Sequence, residues 1–159
     1  MIRDLNSEQT GDDILKKAVD IDNEMKAELI RRAIGAQKYS FAPYSRYNVG
    51  AAALFDSGEI YTGVNVESAS FSGTLCAERN AIFHAVAEGE RRLIAIAIVG
   101  GTDFAREEYC VPCGACRQVM RDFADKDNMI ILSAKEPDDY LEHTLDEMLP
   151  FSFGPESLD

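Results

Sequence analysis

Four cysteines occur in the 159 residues, Cys76, Cys110, Cys113 and Cys116, and three of them fall within seven positions. The first residues, Met1 to Thr10, are polar and lack a secretory hydrophobic region, so a cytoplasmic protein is expected. In a reducing cytosol such a cluster binds metal or does chemistry rather than forming disulfides. The cluster constrains the fold because its thiols must meet at one point. Cys113 and Cys116 stand three apart, which puts both sulfurs on one helical face, while Cys76 comes from the start of another helix. Three soft thiolates leave one position of a tetrahedral zinc open for water.

Each of the two segments, Thr74-Leu75-Cys76-Ala77-Glu78-Arg79 and Val111-Pro112-Cys113-Gly114-Ala115-Cys116-Arg117, starts a predicted helix. Unpaired N–H groups at a helix N-terminus favour the thiolate over the thiol. Three thiolates and one zinc still carry net negative charge. Arg79 and Arg117 are candidates to neutralise part of it, the alternative being that both are solvated helix residues. Glu78 lies two residues beyond Cys76, nearly opposite on an ideal helix, so spacing leaves open whether both face the metal. Helical side chains lean towards the N-terminus, however, and a long Glu in the first turn reaches past the helix end. There it would carry protons rather than ligate. A closed, purely structural zinc site would need a fourth ligand, which Cys110 could supply, although Cys110 reads as an ordinary buried thiol.

A chain of this length that is 46% hydrophobic supports one core and not two. Its formal net charge of −12 argues against binding a polyanion, and Arg91 with Arg92 do not make a groove. No apolar run approaches the roughly 20 residues of a membrane span. The expectation is a small-molecule substrate, with neither nucleic acid nor membrane as partner.

Residues 1–22 read as an N-terminal extension of uncertain order, with a short helix suggested between Thr10 and Val19; residues 23–159 read as one domain. Met25, Leu29, Ile30, Ala33 and Ile34 recur at helical spacing between Glu24 and Tyr39. Val49 to Phe55 and Glu59 to Val66 predict a hairpin across Asp56-Ser57-Gly58. A helix follows Gly73-Thr74 to about Ala87, then a buried strand from Leu93 to Val99 ended by Gly100-Gly101. Residues Cys113 to Phe123 read as a helix, Met129 to Ala134 and Tyr140 to Thr144 as strands, and Leu145 to Leu149 as a helical turn. This order suggests an α/β layer protein with a mixed sheet covered by helices.

Cys76-Ala77-Glu78 followed by Pro112-Cys113-Gly114-Ala115-Cys116-Arg117-Gln118-Val119 strongly resembles the cytidine deaminase family, in its small, all-cysteine, homotetrameric branch. Further matching motifs run from about Tyr39 to Phe153: Ala42-Pro43-Tyr44-Ser45, Val49-Gly50-Ala51-Ala52, Gly63-Val64-Asn65-Val66-Glu67 and Leu149-Pro150. The resemblance implies a three-layer α/β/α fold with a mixed sheet of about five strands. It implies zinc on Cys76, Cys113 and Cys116, and Glu78 as general acid/base. It also implies Asn65 and Glu67 on the sugar hydroxyls, the Ala77 backbone on the pyrimidine ring, Tyr47 beside the base, and Phe153 inserted from a neighbouring subunit. The substrate would be cytidine or deoxycytidine, taken in a homotetramer with shared active sites.

Two features depart from the family pattern: Phe71 stands where many relatives have Tyr, and Cys110 has no counterpart. From the residues alone, Tyr47, Phe71 and Phe153 also read as core aromatics, and Asn65 and Glu67 as polar positions of a half-exposed strand. His84 and His143 sit outside any motif, which makes a Ser-His-Asp hydrolase improbable. Two rival functions remain: deamination of a cytosine-bearing antibiotic such as blasticidin S, weighed against by Glu67, and a zinc-stabilised interaction module, weighed against by Glu78.

Overall fold

Aliphatic runs that are buried on both faces make the centre of the molecule, a five-stranded sheet in the order β2-β1-β3-β4-β5. The structure is a computed structural model that describes residues 21–158. The helix suggested between Thr10 and Val19 lies outside the described residues. The first described element is helix α1 (Asn23–Gln37), whose N-terminus is capped by the Asp22 carboxylate accepting from Met25 N–H at 2.8 Å. Strands β1 (Tyr47–Phe55) and β2 (Ile60–Val64) form the expected antiparallel hairpin. Helix α2 (Ala77–Ala87), strand β3 (Leu93–Thr102) and helix α3 (Gly114–Phe123) follow. Strands β4 (Ile130–Glu136) and β5 (Asp139–Thr144) then lead into the short helix α4 (Leu145–Met148). Among the described strands only β3 and β4 pair in parallel.

Strand alternation divides the core in two. Ala52 and Leu54 of β1, with Ala95, Ala97 and Val99 of β3, pack under Leu29, Ile30 and Ala33 of α1. Ala51, Ala53 and Phe55, with Ile96 and Ile98, meet Ala81, Ile82 and Ala85 of α2 and Cys116 and Met120 of α3 on the opposite face. Helices therefore cover both faces in three layers, as the resemblance implied. The two helices that start with cysteines share one face.

Strands β1 and β4 each run two residues beyond their expected ends, to Tyr47 and Glu136, and β3 runs three beyond. Gly100 and Gly101 do not end β3, which continues to Thr102 and pairs with Asn48 and Val49 of β1. A Cβ at Gly100 would lie 2.8 Å from the Cys110 sulfur, and one at Gly101 would lie 1.6 Å from the Ala105 carbonyl oxygen. The glycines make room for the 103–113 loop to fold against the strand. That loop is clipped at its start, where Arg46 forms an ion pair with Asp103 and accepts from its N–H at 2.9 Å.

Candidate active site

Helices α2 and α3 begin at the same place. Cys76 is the N-cap of α2 and Cys113 the N-cap of α3, each with extended backbone and without a side-chain capping bond. Close approach of α2 to the sheet sets the first of these: a Cβ at Gly63 would lie 2.4 Å from both the Ala77 carbonyl oxygen and the Ala81 nitrogen. Asn80 then ties the helix to the end of β2, its amide donating to the Val64 carbonyl at 2.9 Å. Cys116, in the first turn of α3, is buried beneath Cys113.

The three sulfurs converge. Cys76 and Cys113 Sγ are 3.8 Å apart, Cys113 and Cys116 Sγ 3.4 Å, and all three lie within 4.8 Å of one another. A tetrahedral zinc with sulfur at about 2.3 Å requires sulfurs about 3.8 Å apart, so the trio fits the ion. Cys110 is not in this group. It lies against Gly100 and the Tyr47 hydroxyl, and burial pushes its thiol up to about 11. That is the behaviour of an inert interior thiol.

Charge is distributed unevenly over the trio. The Cys76 thiol is pushed down to about 5, first by its hydrogen bond with Cys116 and then by the Arg79 guanidinium; Cys116, the other half of that pair, is pushed up. Arg79 Nη2 is 3.5 Å from the Cys76 sulfur, while its buried Nε lacks a partner. Arg117 goes elsewhere: its Nε donates to the Pro112 carbonyl and its Nη1 to the Met148 carbonyl, both at 2.8 Å. The two arginines beside the ligand segments thus differ, one facing sulfur and the other bracing backbone.

Glu78 is in the first turn of α2 and only 4% exposed. Its carboxyl is raised to about 7, chiefly by burial and further by the Cys76 sulfur, against the pull of its own backbone N–H and of Cys116. The carboxyl is therefore closed off from bulk water, with the Cys76 and Cys116 sulfurs among the groups that act on it. Ala77, directly before it, is fully buried at the helix start, where the first N–H groups have no intrahelical acceptor.

Tyr47, Asn65, Glu67 and Phe71 form one linked group beside the start of α2, where Val66 bridges Leu75, whereas Phe153 lies apart on the C-terminal segment held by Gln118. Asn65 is buried just past the end of β2, its Oδ1 accepting from Val49 N–H and its Nδ2 donating to the Tyr47 carbonyl, both at 2.8 Å. Glu67 Oε2 accepts from the N–H groups of Tyr44 at 2.8 Å and Ser45 at 3.2 Å, and Oε1 accepts from the Ser45 hydroxyl. A carboxylate offers about four acceptor positions and an amide two donors and two acceptors. Glu67 thus keeps one acceptor and Asn65 one donor and one acceptor, a set suited to hydroxyl groups. Tyr47 opens β1 and is 37% exposed. Phe71 packs edge-on against Tyr44 and is open to solvent. Phe153 is 58% exposed on the C-terminal segment, which makes it a surface aromatic and not a core one. His84 packs edge-on against Tyr61 and His143 faces Glu147.

The sequence reading missed Ser45, which holds Glu67, and it missed the grip of α3 on the C-terminal segment. The only sequence signal for Ser45 was its place in the Pro43-Tyr44-Ser45 motif.

Residues 23–132 match the family described as the cytidine and deoxycytidylate deaminase zinc-binding region. The chain is 42% identical over 130 residues to the cytidine deaminase of Halalkalibacterium halodurans, covering 82% of this chain and 95% of that protein. A crystal structure of cytidine deaminase from Burkholderia pseudomallei superposes with a TM-score of 0.72 at 38% identity, over 79% of this chain and 97% of that one. The cytidine deaminase structure from Mycobacterium tuberculosis gives 0.69 at 37% identity, over 85% and 99%. The cofactor these findings support is zinc, and the described residues offer it one trio of sulfurs.

Proposed function

The chain belongs to the cytidine and deoxycytidylate deaminase family, zinc-dependent hydrolases, and on that premise we propose that it converts cytidine and deoxycytidine to uridine and deoxyuridine plus ammonia through Glu78. The observation that carries this reading is a buried carboxyl two residues beyond one of three convergent sulfurs. Cys76, Cys113 and Cys116 hold the metal. When bound, zinc supplies a Lewis acid that makes a water molecule acidic near neutral pH.

Glu78 accepts a proton from the attacking water, delivers it to ring N3 as C4 is attacked, and later carries a proton to the departing ammonia. A carboxyl held near neutrality by burial serves both directions, since neither proton transfer is then steeply uphill. Arg79 offsets the negative charge that the sulfurs impose. The N–H groups at the start of α2, that of Ala77 among them, donate to the pyrimidine.

Asn65 and Glu67 take the sugar hydroxyls with the donor and acceptors they have left. A bare base would leave these groups dry and unpaired, so nucleosides are preferred over cytosine. A phosphate would meet a strongly acidic protein, which disfavours CMP. Phe153, exposed on its own chain, completes the site of a neighbour in a homotetramer. Residues 23–159 make the working domain, with 1–22 an extension. Among the described residues no helix is long and apolar enough to cross a membrane. The proposed role is that of a cytoplasmic salvage enzyme.

Metal analysis combined with ultraviolet monitoring of cytidine, deoxycytidine, CMP and blasticidin S tests the proposal. Zinc in an equal molar ratio to the chain, with turnover of the two nucleosides only, is expected. A zinc-loaded protein that leaves both nucleosides intact overturns it, and preference for blasticidin S would move the substrate to the antibiotic.

A further inference from the structure

Three side chains of α3 reach the C-terminal segment. Arg117 and Arg121, one helical turn apart with Gln118 beside them, form one face of the helix. Arg117 donates to the Met148 carbonyl at 2.8 Å, and Gln118 Nε2 to the Phe153 carbonyl at 2.9 Å. Arg121 Nε donates to the Ser152 hydroxyl at 3.1 Å, and its Nη2 pairs with Glu156. Arg121 is buried, a position a guanidinium keeps only when its partners are in place. The chain passes directly over it at Gly154, where a Cβ would lie 2.4 Å from Arg121 Nη2.

Phe153 is the centre of this arrangement. The residue before it is bound through its side chain, its own carbonyl is bound, and the residue after it rests on the guanidinium, yet its ring is turned outward. Phe151, at a left-handed φ of 54°, turns the chain into this grip. A backbone held on both sides of an exposed aromatic is an anchor ordered in advance, which spares the ordering cost of binding.

We propose that Arg121 is a positioning residue for the deaminase reaction of a neighbouring subunit: it fastens residues 152–156 to α3 so that Phe153 is presented to the neighbour's site. This rests on the reading that Phe153 completes that site. Because α3 also begins with Cys113 and Cys116, the helix that brings two sulfurs to its own chain's metal sets the wall of the next chain's pocket.

The test compares Phe153→Ala, Arg121→Met and, as a variant that leaves α3 unaltered, Glu156→Gln, each measured for zinc content, oligomeric state, KM and kcat on cytidine. Each is expected to keep zinc and assembly and to raise KM about tenfold, as loss of one preordered contact would. Arg121→Met is then co-expressed with Glu78→Gln and mixed oligomers are isolated through two affinity tags. Their only competent sites belong to Arg121→Met chains, and KM is expected to return towards the wild-type value because Glu78→Gln chains supply intact anchors. If KM stays high in the mixed oligomers, Arg121 acts within its own subunit and the proposal is overturned. A wild-type KM for Arg121→Met and Glu156→Gln beside an impaired Phe153→Ala overturns the proposal and spares the shared site. An unaffected Phe153→Ala overturns both. If Arg121→Met does not fold, Glu156→Gln takes its place in the mixing experiment.

Discussion

The site has two ends, each with a glutamate, and the two are treated oppositely. Glu78 is closed in at the start of α2, and burial pushes its carboxyl up to about 7. Glu67 lies in a loop, and the hydroxyl of Ser45 with the N–H groups of Tyr44 and Ser45 holds its carboxyl below the ordinary range. Under the proposed function, the first carboxyl exchanges protons and the second stays charged and accepts. Helix ends over a packed core build the first end within a single chain. The second end is made of loops, with Tyr44 and Phe71 exposed.

Substitution at each end should separate them. Cys113→Ser should have the largest effect: zinc is lost in dialysis that leaves the wild type loaded, activity goes with it, and metal analysis reads both. Glu78→Gln should retain zinc and lose about a thousandfold in kcat, since general acid–base help is removed from every proton transfer. Substantial activity would mean that the buried end is structural. Glu67→Gln should leave kcat nearly intact and raise KM about tenfold, the scale of a charged hydrogen bond weakened to a neutral one. A fall in kcat alone would mean the two ends are not distinct. The smallest contrast is between the arginines: Arg79→Gln should weaken zinc binding several-fold in a chelator competition, as loss of a group oriented on a ligand does. Arg117→Gln should leave zinc affinity alone and lower the melting temperature.

The elements were legible because their signals are local. Aliphatic runs gave β3 and β4, helical spacing gave α1, and the cysteine spacing marked the starts of α2 and α3. The layer order followed from those elements together with the family motifs. What stayed hidden depends on contacts distant in sequence. Asn65 could be read as an exposed strand residue because nothing in its neighbourhood says that Tyr47 and Val49 will take half of its amide. Gly100 and Gly101 read as a terminator because the Ala105 backbone that needs their space arrives afterwards. Arg121 sits among the polar positions of an amphipathic helix, and its partner Glu156 is 35 residues away. Arg79 and Arg117 look alike in sequence, and only the fold distinguishes the one that meets sulfur.

Neither α2 nor α3 has the hydroxyl or carboxylate that ordinarily closes a helix start, because a cysteine occupies that position in both. Stripping the ion should therefore fray two helix beginnings together, and hydrogen exchange at the amides after Cys76 and Cys113 would follow metal occupancy as a paired signal. The cation would then serve as a common clasp for secondary structure as well as a reagent, and storage without it would loosen the protein from the pocket outward.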